Sequence, residues 1–114
     1  MAGPLEGIRV VDLTQVVSGP LATMLLADQG AEVVKVEPLG IGGDVTRLPS
    51  FAKAGISALF VNNNRGKRSL AVDLTKEEGK QIVIDLVEQA DVFIQNFRPG
   101  AIERLGLSYD ELKV

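Results

Sequence analysis

Cysteine, histidine and tryptophan are all absent from the 114 residues. Without the first two there is no thiol nucleophile, no imidazole for proton transfer near neutral pH, and no ordinary Cys/His zinc site. Chemistry within the chain falls to carboxylates, hydroxyls, lysines and backbone amides, and a covalent step needs Asp, Glu, Ser, Thr, Tyr or Lys. An excess of positive charge is also missing. Twelve Lys and Arg stand against 15 Asp and Glu, a formal net charge of −3, which points to neither nucleic acid nor an anionic membrane surface as partner. No apolar run approaches the roughly 18 residues that span a bilayer. Residues 1–6 (MAGPLE) lack the basic start and apolar stretch of a secretory signal, so a cytoplasmic location is expected. What the chain does have is 46% hydrophobic residues, enough for one globular core at this length.

Periodicity sets the fold class. Residues 7–13 (GIRVVDL) form an apolar, β-branched run that suits a buried strand. A turn over residues 14–18 leads to Gly19-Pro20, where proline suits a first helical position because its missing N–H would be unpaired there. The helix is expected to run to Gln29, with Gly30 as its terminating residue. Residues 32–37 (EVVKVE) form a second strand, stopped by Pro38. Strand, helix and strand in so short a span make a right-handed βαβ unit.

Residues 39–50, with three glycines and Pro49, read as a loop, while residues 59–61 fit the end of either a helix or a strand. A polar, basic stretch (NNNRGKR, residues 62–68) precedes a short strand over residues 69–74. Thr75 and Glu78 have the spacing of a capping box, and Ile82, Val83, Leu86, Val87 and Ala90 follow at helical spacing. Residues 91–95 form a further strand, ending in the turn Asn96-Phe97-Arg98-Pro99-Gly100. Short helices are expected over residues 101–105 and 108–114, the second with its own box at Ser108 and Glu111. The whole is an α/β fold, a Rossmann-like, mostly parallel sheet flanked by helices. Because the final residues fall inside a newly capped helix, the chain is expected to be part of a larger domain.

In open α/β sheets, ligands bind beyond the carboxyl ends of the strands. Three segments leave such ends: residues 14–19, 38–47 and 95–100. The first feeds a helix N-terminus, which either receives an anion or simply joins strand to helix. Glu37 has the position of a ribose-binding acid in a dinucleotide fold. The first turn, however, reads TQVVSGP without the G-x-G-x-x-G glycines, and Val16 and Val17 would block close approach to a pyrophosphate. Arg65, Lys67 and Arg68 surround Gly66, and such a cluster either grips phosphate or lies solvated in a loop. Asn96, Phe97 and Arg98 offer an amide, an aromatic face and a guanidinium at a strand end, or merely terminate it. Asp12, Asp28, Asp73 and Asp85 all have structural explanations, and none is a convincing nucleophile.

In series, these stretches resemble the family III CoA-transferases, a group that includes formyl-CoA and carnitine CoA-transferases and the alpha-methylacyl-CoA racemases. The matching segments are LEGIRVVDLT, SGPLAT, LLADQGAEVVKVEP, GDVTR, NRGKRSL and NFRPG, in the family's order along nearly the whole chain. The resemblance implies the N-terminal, coenzyme A-binding part of a larger α/β domain. It further implies an interlocked homodimer and transfer of CoA between an acyl-CoA and a carboxylic acid. That reaction would pass through an aspartyl intermediate on a residue beyond Val114. No metal is implied, and no residue here inherits a catalytic role, so the segment alone is expected to be inactive. The CoA-contacting positions it implies are Val17, Ser18, Val72, Asp73, Leu74, Thr75, Asn96, Phe97, Arg98 and Arg104. Val72 and Phe97 would pack the adenine, and Arg104 with the basic cluster would offset the phosphates. Val17 stands where some transferases have Gln, and Pro38 where some have a phosphate-binding Arg, which leaves the acyl group open. The racemase branch, a non-catalytic CoA- or nucleotide-binding module and, less favoured, an NAD-binding domain are the competing readings.

Overall fold

Successive residues of a strand face opposite sides of the sheet, and the valines of the first strand use both. In β1 (Arg9–Asp12), Val10 joins Val33 and Ala31 in a small cluster under Leu26 and Ala27. Val11 instead joins Leu13, Val36, Val72, Val83, Ile102 and Leu107 in the main core. Burial on both faces is what a parallel strand requires. The computed structural model, which describes residues 3–113, pairs β1 in parallel with β2 (Glu32–Pro38) and β4 (Val92–Ile94). Strand β2 in turn pairs in parallel with β3 (Arg68–Val72). The strand order is β3-β2-β1-β4, so the chain first moves outward from β1 and then returns to its other side. The reversal lies between β1 and β4.

Helices α1 (Ser18–Asp28) and α2 (Ala58–Asn64) cover one face. Helix α3 (Glu77–Glu88) and the short α4 (Ala101–Arg104) and α5 (Tyr109–Leu112) cover the other. Gly30 ends α1 with φ +104, donating to the Ala27 carbonyl while Ala31 donates to Leu26. This left-handed closure is open to glycine at little cost. The Rossmann-like parallel sheet expected from periodicity is therefore the observed architecture.

Several local expectations are corrected. β1 begins at Arg9, because Gly7 adopts φ +91 in a turn closed by Ile8 N–H on the Leu5 carbonyl. The loop after β2 holds two short 3-10 turns, Val45–Arg47 and Pro49–Phe51, the first capped by Asp44, which accepts from Thr46 N–H. The ambiguous residues 59–61 are helical, within α2, whose first turn donates from Phe60 N–H to Ser57 Oγ. β3 ends at Val72, short of Leu74. The capping box at Thr75 and Glu78 does not form. Asp73, two residues away, is a nearer acceptor and takes both the Thr75 N–H (3.0 Å) and hydroxyl (2.5 Å), a turn that competes with capping. The box at Ser108 and Glu111 does form, although α5 stops at Leu112 and residue 114 lies outside the described residues.

Gly79, buried in the first turns of α3, permits that Asp73 turn. A methyl group placed on it would sit 2.0 Å from the Asp73 carbonyl oxygen. Gly→Ala in a helix interior ordinarily stabilises by about 1 kcal/mol. Here the sign reverses: Gly79→Ala is expected to lower the urea midpoint, and an unchanged or higher midpoint would refute the close approach.

Candidate functional site

The carboxyl ends of β1, β2 and β3 converge on a cavity of about 280 Å³. Leu13, Val36 and Val72 line it beside Phe97 and Leu105, with Pro38 at the end of β2 and Gln15, Leu39, Gly40 and Ile41 on the loops after β1 and β2. Asp73, Leu74 and Thr75 complete the rim. Its size is at the lower edge of the roughly 300–1,000 Å³ typical of ligand pockets, suited to one flat ring system rather than a long cofactor. A larger cleft of about 490 Å³ follows β4 between α3 and α5, away from the strand ends. It borders the unpaired edge of the sheet, whereas the smaller cavity sits where α/β folds hold ligands.

The loop from β1 into α1 is cross-linked at the switch point. The Asn96 side-chain oxygen accepts from Gln15 N–H at 3.0 Å, and its amide nitrogen donates to the Gln15 carbonyl at 2.8 Å. Its amide is thus used on both ends to join the β4 and β1 loops. Val16 next to it has φ +74, a left-handed conformation that is a genuine outlier for a β-branched residue and costs about 1–3 kcal/mol. Val17 and Ser18 follow, both exposed, with Ser18 opening α1, whose first-turn N–H groups have no intrahelical partner. Gly19 lets the helix start close against Thr14, where an added methyl group would sit 2.3 Å from Cβ of Thr14.

Beneath this loop, the α1–α2 face changes from apolar to ionic. Asp12, fully buried, accepts at Oδ1 from Thr14 N–H (2.8 Å) and hydroxyl (2.5 Å), and at Oδ2 from Thr23 (2.6 Å) and the Lys67 ammonium (3.0 Å). Lys35, also buried, donates to the Thr14 carbonyl at 2.9 Å and pairs with Asp44 Oδ2 at 2.7 Å. That ion pair is off hydrogen-bond alignment, yet it is the only polar partner of Asp44 Oδ2 among the described residues. Glu37 receives Arg47 through Nε (2.7 Å) and Nη2 (2.9 Å), the Asp44 N–H (2.9 Å) and the Ser69 hydroxyl. The Arg47 guanidinium lies 3.7 Å from the centre of the Phe60 ring, a cation–π contact. Burial pushes the Glu37 and Asp44 carboxyls up, but hydrogen bonds from Arg47 and Ser69 to Glu37, and the Lys35 ammonium with hydrogen bonds from Thr46 at Asp44, outweigh it. Both end below their ordinary values. Lys67 moves down, because burial outweighs the pull of Asp12.

The expected basic cluster is not a cluster. Arg65 pairs with Asp28 at 2.7 Å, Lys67 turns inward to Asp12, and Arg68 lies 3.4 Å from Glu32. Three neighbouring cations serve three separated carboxylates. Arg98 and Arg104 are exposed and make no ion pair among the described residues. Of the ten positions read from the sequence, Val72, Asp73, Leu74, Thr75 and Phe97 line one cavity. Val17 ends the adjoining loop and Ser18 opens α1, Asn96 is tied to Gln15, and Arg104 on α4 neighbours Gly100, which precedes that helix. The buried polar layer went unread, although the alternation of Val33, Lys35 and Glu37 already places two charges on one strand face.

The model of "CoA-transferase family III" matches residues 5–114. The chain belongs to CoA-transferase family III. Among its curated relatives is an acyl-CoA transferase of Fusarium pseudograminearum, 47% identical over 97% of this chain and 26% of the relative. Succinyl-CoA:mesaconate CoA-transferase of Haloarcula hispanica is 47% identical over 97% of the chain and 29% of its own length. The crystal structure of Rv3272 from Mycobacterium tuberculosis superposes with a TM-score of 0.88 at 48% identity, over 98% of this chain and 30% of that one. A CAIB/BAIF family protein from Brucella suis matches with a TM-score of 0.87 at 42% identity, over 99% of this chain and 31% of that one. The family III segment in hand thus spans under a third of the length of these relatives.

The depressed Glu37 and Asp44 carboxyls have a thermodynamic consequence for this family III chain. A carboxylate whose folded value lies below its unfolded one contributes stability that is present above the unfolded value and lost as pH falls through the folded one. Stability should therefore fall as pH drops below about 4.5, the ordinary value for Glu37. Glu37→Gln is expected to flatten part of that slope in urea melts taken across the acid range. An identical slope in the variant would contradict the assignment.

Proposed function

We propose that this chain is the CoA-binding N-terminal portion of an acyl-CoA:carboxylate CoA-transferase. The observation that carries the reading is the cavity at the strand ends, where Val72 and Phe97 form apolar walls. Its volume suits an adenine better than a whole CoA, with the remainder of the cofactor leaving past the β1 loop. Arg98 and Arg104, exposed and without ion-pair partners among the described residues, are available to phosphates. The NAD alternative finds no support in the β1 loop, where Val16 and Val17 stand in place of glycines.

The same reading puts the covalent chemistry elsewhere in the intact enzyme. Asp12, Glu37 and Asp44 are buried and engaged by cations and hydroxyls. Asp73, on the cavity rim, accepts two hydrogen bonds from Thr75, which hold its carboxyl below the usual value. A carboxylate so engaged is a poor nucleophile. In the proposed reaction, an aspartate outside these residues attacks the acyl-CoA carbonyl and releases the CoA thiolate, leaving a mixed anhydride. The thiolate then attacks the aspartyl carbonyl, freeing the first acid and forming an enzyme–CoA thioester. A second carboxylate attacks that thioester and expels the CoA thiolate, which then attacks the new acyl carbonyl, giving the product acyl-CoA and freeing the aspartate. A homodimer completes the intact enzyme, and no metal enters the scheme. The relatives named above carry transferase activities in their names, which favours this branch over the racemase.

Calorimetric titration with CoA, with NAD as the control, tests the proposal on this chain and on a full-length protein carrying it. CoA binding without NAD binding is expected in the full-length protein, and the reverse would overturn the reading. Arg104→Ala there is expected to weaken CoA about tenfold, the loss of one charge-assisted phosphate contact. Unchanged affinity would remove Arg104 from the site.

A further inference from the structure

The cavity is bounded by two loops that the sequence keeps apart: Gln15 comes from the loop after β1, and Leu39, Gly40 and Ile41 come from the loop after β2. Direct bonds between these loops are few. Gln15 Oε1 accepts from Val45 N–H at 3.3 Å, a long, partly buried contact. The strong connection runs underneath, through one side chain of β2. The Lys35 ammonium, 1% exposed, holds the Thr14 carbonyl at 2.9 Å on one side and Asp44 Oδ2 at 2.7 Å on the other. Thr14 immediately precedes Gln15, and Asp44 is the residue that caps the Val45–Arg47 turn. Lys67 does not duplicate this link, because it binds Asp12, the Pro20 carbonyl and Asn64 instead.

We propose that Lys35 is a positioning residue for the CoA site, its single buried ammonium setting the β1 loop and the β2 loop at the separation the bound ring requires. The inference rests on the CoA-binding reading above and adds a residue that touches no ligand. A buried ion pair contributes little net stability compared with an apolar pair of similar volume, and its best attested value is in fixing one arrangement of the parts it joins. Here those parts adjoin two walls of one cavity: Thr14 precedes Gln15, and Asp44 follows Leu39, Gly40 and Ile41 on the same loop. The strained Val16 follows directly on the anchored segment, between Gln15 held by Asn96 and the start of α1. A loop in that conformation persists only where its surroundings over-determine it, and Lys35 does so together with Asp12 and Asn96.

The test must separate positioning from mere stability. Lys35→Met alone leaves the buried Asp44 carboxylate without its counter-ion, so its melting temperature should drop. The double variant Lys35→Met/Asp44→Asn removes the orphaned charge as well and is expected to recover most of that loss. If Lys35 positions the loops, the double variant nevertheless shows amide hydrogen exchange about tenfold faster at Gln15 and Val45 than the wild type, with β1 and β2 unchanged. In the full-length protein its CoA dissociation constant rises about tenfold as well. Wild-type exchange rates and affinity in a double variant of recovered stability would overturn the proposal. Absence of CoA binding by the wild-type full-length protein would instead overturn the functional reading, and the exchange result would still decide whether Lys35 couples the loops.

Discussion

A parallel sheet has to be covered on both faces, and on one face this protein covers the ligand end with paired charges instead of methyl groups. Val10 and Val33 fill the α1 side at the start of β1 and β2. Two residues further on, the same strand faces carry Asp12 and Lys35, and then Glu37. Each must be compensated, since an isolated buried charge costs several kcal/mol or more. Each is: Asp12 by Lys67 and two threonines, Lys35 by Asp44 and a carbonyl, Glu37 by Arg47 and Ser69. Thr14, Asp44 and Arg47 come from the loops that follow β1 and β2, so those loops are drawn in over the sheet and held there, while Thr23, Lys67 and Ser69 come from α1, the turn before β3 and β3 itself.

That constraint explains the shape of the site. Thr14 is anchored twice, by its hydroxyl and N–H to Asp12 and by its carbonyl to Lys35. The next residue, Gln15, is anchored twice by the Asn96 amide. With so many bonds converging on two residues, Val16 is carried into a left-handed conformation that a free chain would avoid. The glycines of a dinucleotide turn, which make room for a pyrophosphate, are replaced by a rigid, apolar loop. The cavity beside it is accordingly apolar, with Leu13, Val36, Val72 and Phe97 in its walls.

The same accounting redistributes the positive charge. Arg65, Lys67 and Arg68 are adjacent in the chain, but β3 begins at Arg68, and alternation across a strand start sends neighbouring side chains in different directions. Each finds a carboxylate on α1, β1 or β2. Arg98 and Arg104, the guanidiniums without an ion pair among the described residues, lie instead after β4, on the other side of the switch point. The guanidiniums left exposed are therefore well separated from the most basic run in the sequence.

What the sequence by itself determined is the order and type of the elements. β-branched runs gave β1 and β2, helical spacing gave α3, and Gly30 marked the end of α1, because these signals depend only on neighbours along the chain. The family was equally legible, since its motifs lie in order from Leu5 onward. Of the positions implied by the family resemblance, Val72 through Thr75 and Phe97 line one cavity. Local competition misled the reading at Thr75, where Asp73 captured the hydroxyl meant for a helix cap. What only the tertiary structure decided are the partnerships across long separations. Lys35 with Thr14 and Asp44, Lys67 with Asp12, and Asn96 with Gln15 join residues from different loops. No periodicity encodes such pairs, because they are chosen by which groups remain unsatisfied once the sheet has closed over them.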